Sequence, residues 1–470
     1  MKKKTLLASL LCVSMVASLL VGCGASDDGA AAPAGDDGAE VTATDDANAP
    51  TTDTIEVENA QGTINVWSFT DEVPTMIQKY VDEHPDFGYN INTTIIATTE
   101  GAYQPALDQA LAGGGEDAPD IYCAEAAFVL KYTQGDAAQY ACPYEDLGID
   151  VATETKDADI AQYTIDIGTN SDGKLVGLGY QATGGAFIYR RSVAEATWGT
   201  DDPAEIAKKI GPGWDQFFTA AEELKAKGYG IVSGDGDIWH AVENSSEQGW
   251  IVDGKLTIDP KREEFLDLSK KLKDNGYHND TQDWQDAWFA DMAGVGEKEV
   301  LGFFGPAWLI NYTLGDNCGE TAGDWAICEP PVGFFWGGTW LLANKDSEKK
   351  EAVGKIIDWI TLDCSDEGLQ YQWANGTYSE SGTKDAVASG TVMSKSDGEL
   401  EFLGGQNMFD VFVPANQFAN GKNLTQYDET INNYWRNQVR EYTAGNKSRE
   451  DAINDFKQDV ADNLDVEVEF

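Results

Sequence analysis

Apolar positions along this chain recur with period two in some stretches and with period three to four in others, the two spacings that mark strands and helices. Residues 63–69 (TINVWSF) alternate as a strand, and 74–83 follow with Met76, Ile77, Tyr80 and Val81 at helical spacing. Residues 90–97 (NINTTIIA) predict a second strand, 103–112 a helix stopped by Gly113, Gly114 and Gly115, and 120–122 the start of a third strand. That βαβαβ order predicts a parallel sheet covered by helices. Further on, 184–189 and 299–304 (EVLGFF) read as buried strands, and 214–227 and 262–275 as amphipathic helices. A strand at 341–343 leads into a helix over 349–362, and helices over 427–444 and 448–463 close the chain. The pattern predicts two α/β lobes and no internal repeat, because roughly 400 residues exceed what one hydrophobic core usually spans.

Two N-terminal segments depart from this pattern. Lys2, Lys3 and Lys4 precede an uncharged apolar run over 5–21, too short and too rich in Ser and Ala for a permanent span. It ends in Leu20, Val21, Gly22 and Cys23, which resembles a bacterial lipobox. The resemblance implies that residues 1–22 are a lipoprotein signal peptide and that the Cys23 thiol carries lipid. Several acyl chains, each worth about 0.8 kcal/mol per buried CH₂, would hold the protein on the extracellular face of the cell membrane. Residues 23–60 are mostly Ala, Gly, Asp, Thr and Pro. Such a segment cannot bury enough surface to offset the entropy of ordering, so a disordered acidic linker is expected. No later stretch is apolar enough to cross a bilayer.

Composition narrows the partners. With 81 acidic against 32 basic residues the formal charge is −49, which repels nucleic acid and anionic lipid. The charge mainly keeps an exported protein soluble. Seven cysteines are present; Cys12 leaves with the signal and Cys23 is lipidated, so an odd number remains. Cys318 and Cys328 flank a short polar loop and are the candidate disulfide. His84, His240 and His278 are far apart with no HExxH or Cys-x-x-Cys beside them, so neither a metal nor a cofactor is expected. The stretch SGDGD (233–237) lacks the spacing and closing Glu of a calcium loop and reads as a turn.

Four stretches in this order resemble the family 1 extracellular solute-binding proteins, the carbohydrate-binding group that serves ABC importers. They are TINVWSFTDEVPTMIQKYVDEHPDF (63–87), DAPDIYCAE (117–125), FFGPAWLINY (303–312) and GGTWLLANKDSEKKEAVGKIIDWIT (337–361). The resemblance implies a two-lobed periplasmic-binding-protein-like fold of type II, each lobe a mixed sheet covered by helices, the two joined by a hinge. Carried over by position, 61–181 with 338–373 make lobe one and 182–337 with 374–470 lobe two. The chain then crosses near Gln181, Gly337 and Trp373. It further implies a monomer that binds a sugar or oligosaccharide, is recognised closed by the importer's membrane subunits, and touches the membrane through its lipid anchor alone.

Ligands of open α/β sheets sit at the carboxyl ends of strands. That rule selects Trp67, Ser68, Phe69, Thr70 and Asp71, then Glu125, Tyr180 and Gln181, the 304–308 turn with Gly305 and Trp308, and Gly337, Gly338 and Trp340. Sugar rings suit flat aromatic walls with a few placed polar groups, which adds the loop candidates Trp239, Trp284, Trp288, Trp336 and Tyr378. Asp71, Glu72 and Glu125 are the candidate acceptors for hydroxyl groups. Two rivals stand beside this reading: an exported glycoside-acting enzyme with two spaced carboxylates, and a binder of a non-sugar solute such as a small cation, which the acidic charge favours. The segment order favours a binder over an enzyme.

Overall fold

The computed structural model describes residues 50–98 and 101–470. The signal segment, Cys23 and linker residues up to 49 lie outside the described residues. Among the described residues no helix is long and apolar enough to cross a membrane.

The strands in chain order are β1 (Thr51–Ile55), β2 (Thr63–Ser68), β3 (Asn90–Ile95), β4 (Ile121–Glu125), β5 (Gly177–Gly179), β6 (Ala186–Arg190), the hairpin pair β7 (Ile251–Val252) and β8 (Lys255–Leu256), β9 (Gly302–Gly305), β10 (Trp325–Cys328), β11 (Thr339–Ala343) and the short pair β12 (Glu399–Leu400) and β13 (Gln406–Asn407). Six of them form one sheet in the order β1-β3-β2-β4-β11-β5. Its centre is parallel, with β2 between β3 and β4. β1, β11 and β5 join antiparallel, so the sheet is mixed rather than parallel throughout. Period-two burial sorts its side chains. Ile121, Cys123, Leu341 and Ala343 enter one core with the helices Glu72–Glu83 and Lys350–Thr361. Tyr122, Ala124, Trp340 and Leu342 enter the core on the other face, with Leu107 and Leu111 of Tyr103–Gly113.

The second lobe is built on β10-β6-β9, antiparallel throughout. β6 lies in the middle and is buried along its whole length, which is why its sequence is AFIYR without polar alternation. Phe187 and Tyr189 point into a core shared with the helices Gly213–Lys225, Pro260–Asn275, Asp428–Thr443 and Arg449–Asn463. Asp259 caps the second of these, accepting from Lys261 N at 2.8 Å, and Ser448 caps the last, accepting from Asp451 N at 3.1 Å.

Three extended segments run side by side between the sheets. Gly185 N donates to Phe334 O at 2.9 Å and Trp336 N to Thr183 O at 3.1 Å. Ala388 N donates to Tyr180 O at 2.9 Å and Ala182 N to Ala386 O at 3.2 Å. Glycine is required here: a Cβ on Gly185 would lie 2.0 Å from the Phe334 ring.

Three expectations change. The linker does not run to residue 60, because β1 pairs with β3 from Thr51↔Ile95 to Ile55↔Ile91. An edge strand takes its stability from backbone pairing, so the exposed Thr and Asp of TTDTI suffice once Ile55 packs inward. Residues after 374 stay with the first lobe for longer than expected. Ser389 N donates to Gln370 Oε1 at 2.8 Å and Ala161 N to Ala388 O at 3.0 Å. Finally, Cys318 and Cys328 are both free thiols. Cys328 faces the second core from β10, while the Cys318 thiol donates to Gly315 O at 3.4 Å in a turn.

Candidate ligand-binding cleft

Residues of both lobes and of the hinge line a cleft of about 160 Å³. Glu125, Ala126 and Ala127 enter from the end of β4, and Phe335, Trp336 and Gly337 from the hinge. His240, Glu243 and Asn244 come from the helix Gly236–Asn244, and Asp428, Glu429 and Asn432 from Asp428–Thr443. The phase of each helix decides this. Ile238, Trp239, Ala241 and Val242 face the lobe core, which leaves His240, Glu243 and Asn244 to the cleft.

An aromatic wall continues from Trp336. The His240 ring stacks on Trp336 with centroids 4.6 Å apart, and Trp308 meets Trp336 edge-on at 5.0 Å. Trp284 lies parallel to Trp308 at 6.1 Å and 10°. Trp308 is fixed by its Nε1, which donates to Trp336 O at 3.0 Å. Gly337, at φ 73°, holds the chain close to this wall, since a Cβ there would sit 3.4 Å from Trp308 Nε1 and 3.6 Å from a Glu125 carboxylate oxygen. Acid groups therefore lie directly beside aromatic faces.

Glu125 accepts from Ala127 N at 2.7 Å. Burial nonetheless pushes its carboxyl up to about 7, and the charge of Glu429 adds to the rise. Glu243 behaves oppositely. Burial alone would raise it, but His240, Arg262 and Asn432 together hold it below the usual carboxylate range. Asp283, beside Trp284, is likewise held low against burial by its ion pair with Arg436. A second aromatic–acid group lies around Glu72. Tyr180 OH donates to Glu72 Oε1, Tyr180 packs on Trp373 at 5.6 Å, and Trp373 on Tyr378 at 6.1 Å.

The sequence-selected residues thus divide. Trp336, Gly337 and Glu125 line the cleft, Trp284 and Trp308 pack against Trp336 beside it, and Glu72, Tyr180 and Tyr378 form the neighbouring group. Trp239 does not join them: it is 1% exposed and meets Phe265 at 4.9 Å in the second core. Trp340 is also 1% exposed, with its Nε1 donating to Thr164 O at 3.1 Å, because its register on β11 points it to the back of the sheet. Trp288 is buried beneath Trp284, donating from Nε1 to Asp237 Oδ1 at 3.1 Å, and acts as a support rather than a wall. Ser68 is buried at the end of β2, and Gly305 is pressed against the Leu309 side chain. Trp67 and Phe69 pack on the core behind the first sheet. Asp71 is exposed before the first helix, Gln181 is buried in the hinge, and Gly338, at φ 110°, lies against Thr183 and Trp340. Sequence reasoning missed His240, Glu243, Asp283, Asp428, Asn432 and Arg436. On Asp428–Thr443 the signal was a polar stripe at steps of four, which a solvated face shows equally. Among the described residues no group of three or more His, Cys, Asp or Glu is placed to hold a metal.

Two α/β lobes on three hinge segments, with a cleft between them, define a solute-binding architecture. The sequence matches the family described as bacterial extracellular solute-binding protein over residues 75–401, and the chain belongs to that family. A search of curated proteins by sequence gave no match. Among solved structures, an extracellular solute-binding protein of family 1 superposes with TM-score 0.70 at 19% identity, covering 85% of this chain and 99% of its own. The galacto-N-biose/lacto-N-biose I-binding protein of an ABC transporter from Bifidobacterium longum gives TM-score 0.65 at 16% identity, over 88% of this chain and all of its own (100%). The GacH receptor of Streptomyces glaucescens, solved also with acarbose, gives 0.59 at 17%, over 86% and 99%.

Proposed function

We propose that this protein captures a sugar or short oligosaccharide in the cleft and delivers it to the membrane subunits of an ABC importer. The observation that carries the reading is the wall of Trp284, Trp308 and Trp336 beside Glu125. Flat aromatic faces match the C–H faces of a sugar ring, and carboxylates match its hydroxyl rim. The sugars named for the Bifidobacterium and Streptomyces proteins support the same solute class. Closure of the lobes over the solute is the signal the importer reads. The lipobox-like approach to Cys23 supports an anchor that keeps the binder beside the transporter. Binding without turnover distinguishes this role from a glycoside-acting enzyme.

A thermal-shift screen against mono-, di- and oligosaccharides tests the proposal. A true ligand at a hundredfold excess over Kd stabilises by about 2.7 kcal/mol. A flat screen, or hydrolysis of aryl glycosides by the protein, overturns it.

A further inference from the structure

Asp385 lies within electrostatic reach of Glu72 in the second aromatic–acid group, and among the described residues neither carboxylate has an ion pair. Asp385 is 2% exposed, and its Oδ2 has no hydrogen-bond partner although its Oδ1 accepts from Ala386 N at 2.7 Å. Gln181 and Asn311 lie close enough to ease its charge. Neither meets Oδ2 in hydrogen-bonding geometry, and the Asn311 amide donates instead to Lys384 O at 2.7 Å. Lys384, next in the chain, turns its ammonium to Asp397 at 3.4 Å and to Glu399 O at 3.1 Å. The groups that face Glu72 and Asp385 are Asp71, Cys123, Tyr180, Tyr312 and Tyr378, and none is basic.

Tyr312 ties this group to the aromatic wall. It lies four residues after Trp308, in the π-helical turn Leu309–Leu314, and is 48% exposed. We propose that Glu72 and Asp385 form a subsite for a protonated amine, and that the captured solute is an amine-bearing saccharide whose sugar ring lies on the tryptophan wall. An ammonium offers three donors and one positive charge. Its donors and charge suit the free Asp385 Oδ2 beside the negative Glu72 carboxylate, and tyrosine faces add cation–π attraction. A neutral hydroxyl offers a single donor. Burial, with the charge of Glu72 contributing, pushes Asp385 up to about 8, and burial raises Glu72 as well. Both rises are the mark of acids lacking a counter-charge, which an ammonium would supply.

The inference rests on the sugar reading and is separable from it. Calorimetry on the full chain compares the glucosamine disaccharide of chitosan with cellobiose, its neutral counterpart. At about pH 7 the amine form is expected to bind about tenfold tighter. Lowering the pH to about 5 should shrink the preference, because the ammonium must displace the Asp385 proton and that displacement costs more in acid, while the amine stays charged. Asp385→Asn should likewise bring the two sugars level while leaving cellobiose binding in place. The pH series needs no variant and so stands if the substitution fails to fold. Equal or tighter binding of cellobiose by the unaltered protein overturns the amine subsite alone. Binding of neither disaccharide, with a flat saccharide screen, overturns the sugar reading and this inference with it.

Discussion

Trp284 holds a φ of 66°, a left-handed backbone that bulky side chains rarely adopt. Such a residue costs on the order of 1–3 kcal/mol and persists only where its surroundings over-determine it. Asp283, paired with Arg436, fixes the preceding residue, and Trp288 supports the ring from below. Replacing Trp284 by Gly should therefore leave the melting temperature nearly unchanged or raise it, while sugar affinity falls about tenfold through loss of the stacked face. Trp239→Ala should do the reverse. It opens a cavity in the second core and should lower stability by about 3–5 kcal/mol in denaturant titrations. Sequence alone weighed these two tryptophans equally, because each lies among loop-like residues with acids nearby. The distinguishing fact is helical phase within Gly236–Asn244, which becomes readable only once its ends are known.

At the scale of elements, Asp428–Thr443 shows how an ordinary amphipathic helix builds half a cleft. Ile431, Trp435 and Val439 enter the second core, while Asp428 and Asn432 reach the cleft and Arg436 pairs with Asp283 beside it. Arg436→Ala leaves Asp283 recessed and uncompensated. Stability should fall by about 3–5 kcal/mol, and stopped-flow binding should show faster sugar release as the Trp284 loop loosens. A double substitution, Arg436→Met with Asp283→Leu, should recover much of the stability without the affinity. The helices and the parallel heart of the first sheet were legible from period and order, because β2, β3 and β4 follow one another with helices between. The antiparallel strands β5 and β11 were only partly legible. β5 is three residues, Gly-Leu-Gly, and its pairing with β11 depends on chain that returns after the whole second sheet. Long-range returns of this kind leave no local spacing to read.

For the molecule as a whole, buried acids set the response to pH. Glu125, Asp237, Asp358 and Asp428 are each pushed up to about 7, and Asp385 to about 8, with burial the leading cause throughout. A group raised in the folded state gives stability that is full below its unfolded value, near 4, and is lost as pH rises through its folded value. His278, Glu243 and Asp283, all held low, act in the opposite direction but only on the acid side of neutrality. The formal charge of −49 adds self-repulsion as the last acids ionise. The melting temperature should therefore be higher at about pH 6 than at about pH 9, measured at constant ionic strength. A flat or rising profile would show that these acids are ionised in the fold.

The edge strand β1 has a mechanical consequence. It stitches residues 51–55 to β3 of the first sheet, so whatever grips the chain upstream grips the first lobe directly. The second lobe is joined to it by the three hinge segments and by direct contacts, such as Asp136 N donating to Gln426 Oε1 at 3.0 Å. Under the proposed anchor at Cys23, the first lobe would be the fixed jaw at the cell surface and closing a swing of the second. A load on that proposed leash would fall on the β1–β3 ladder rather than on the hinge, so tethering and capture would not compete for the same bonds.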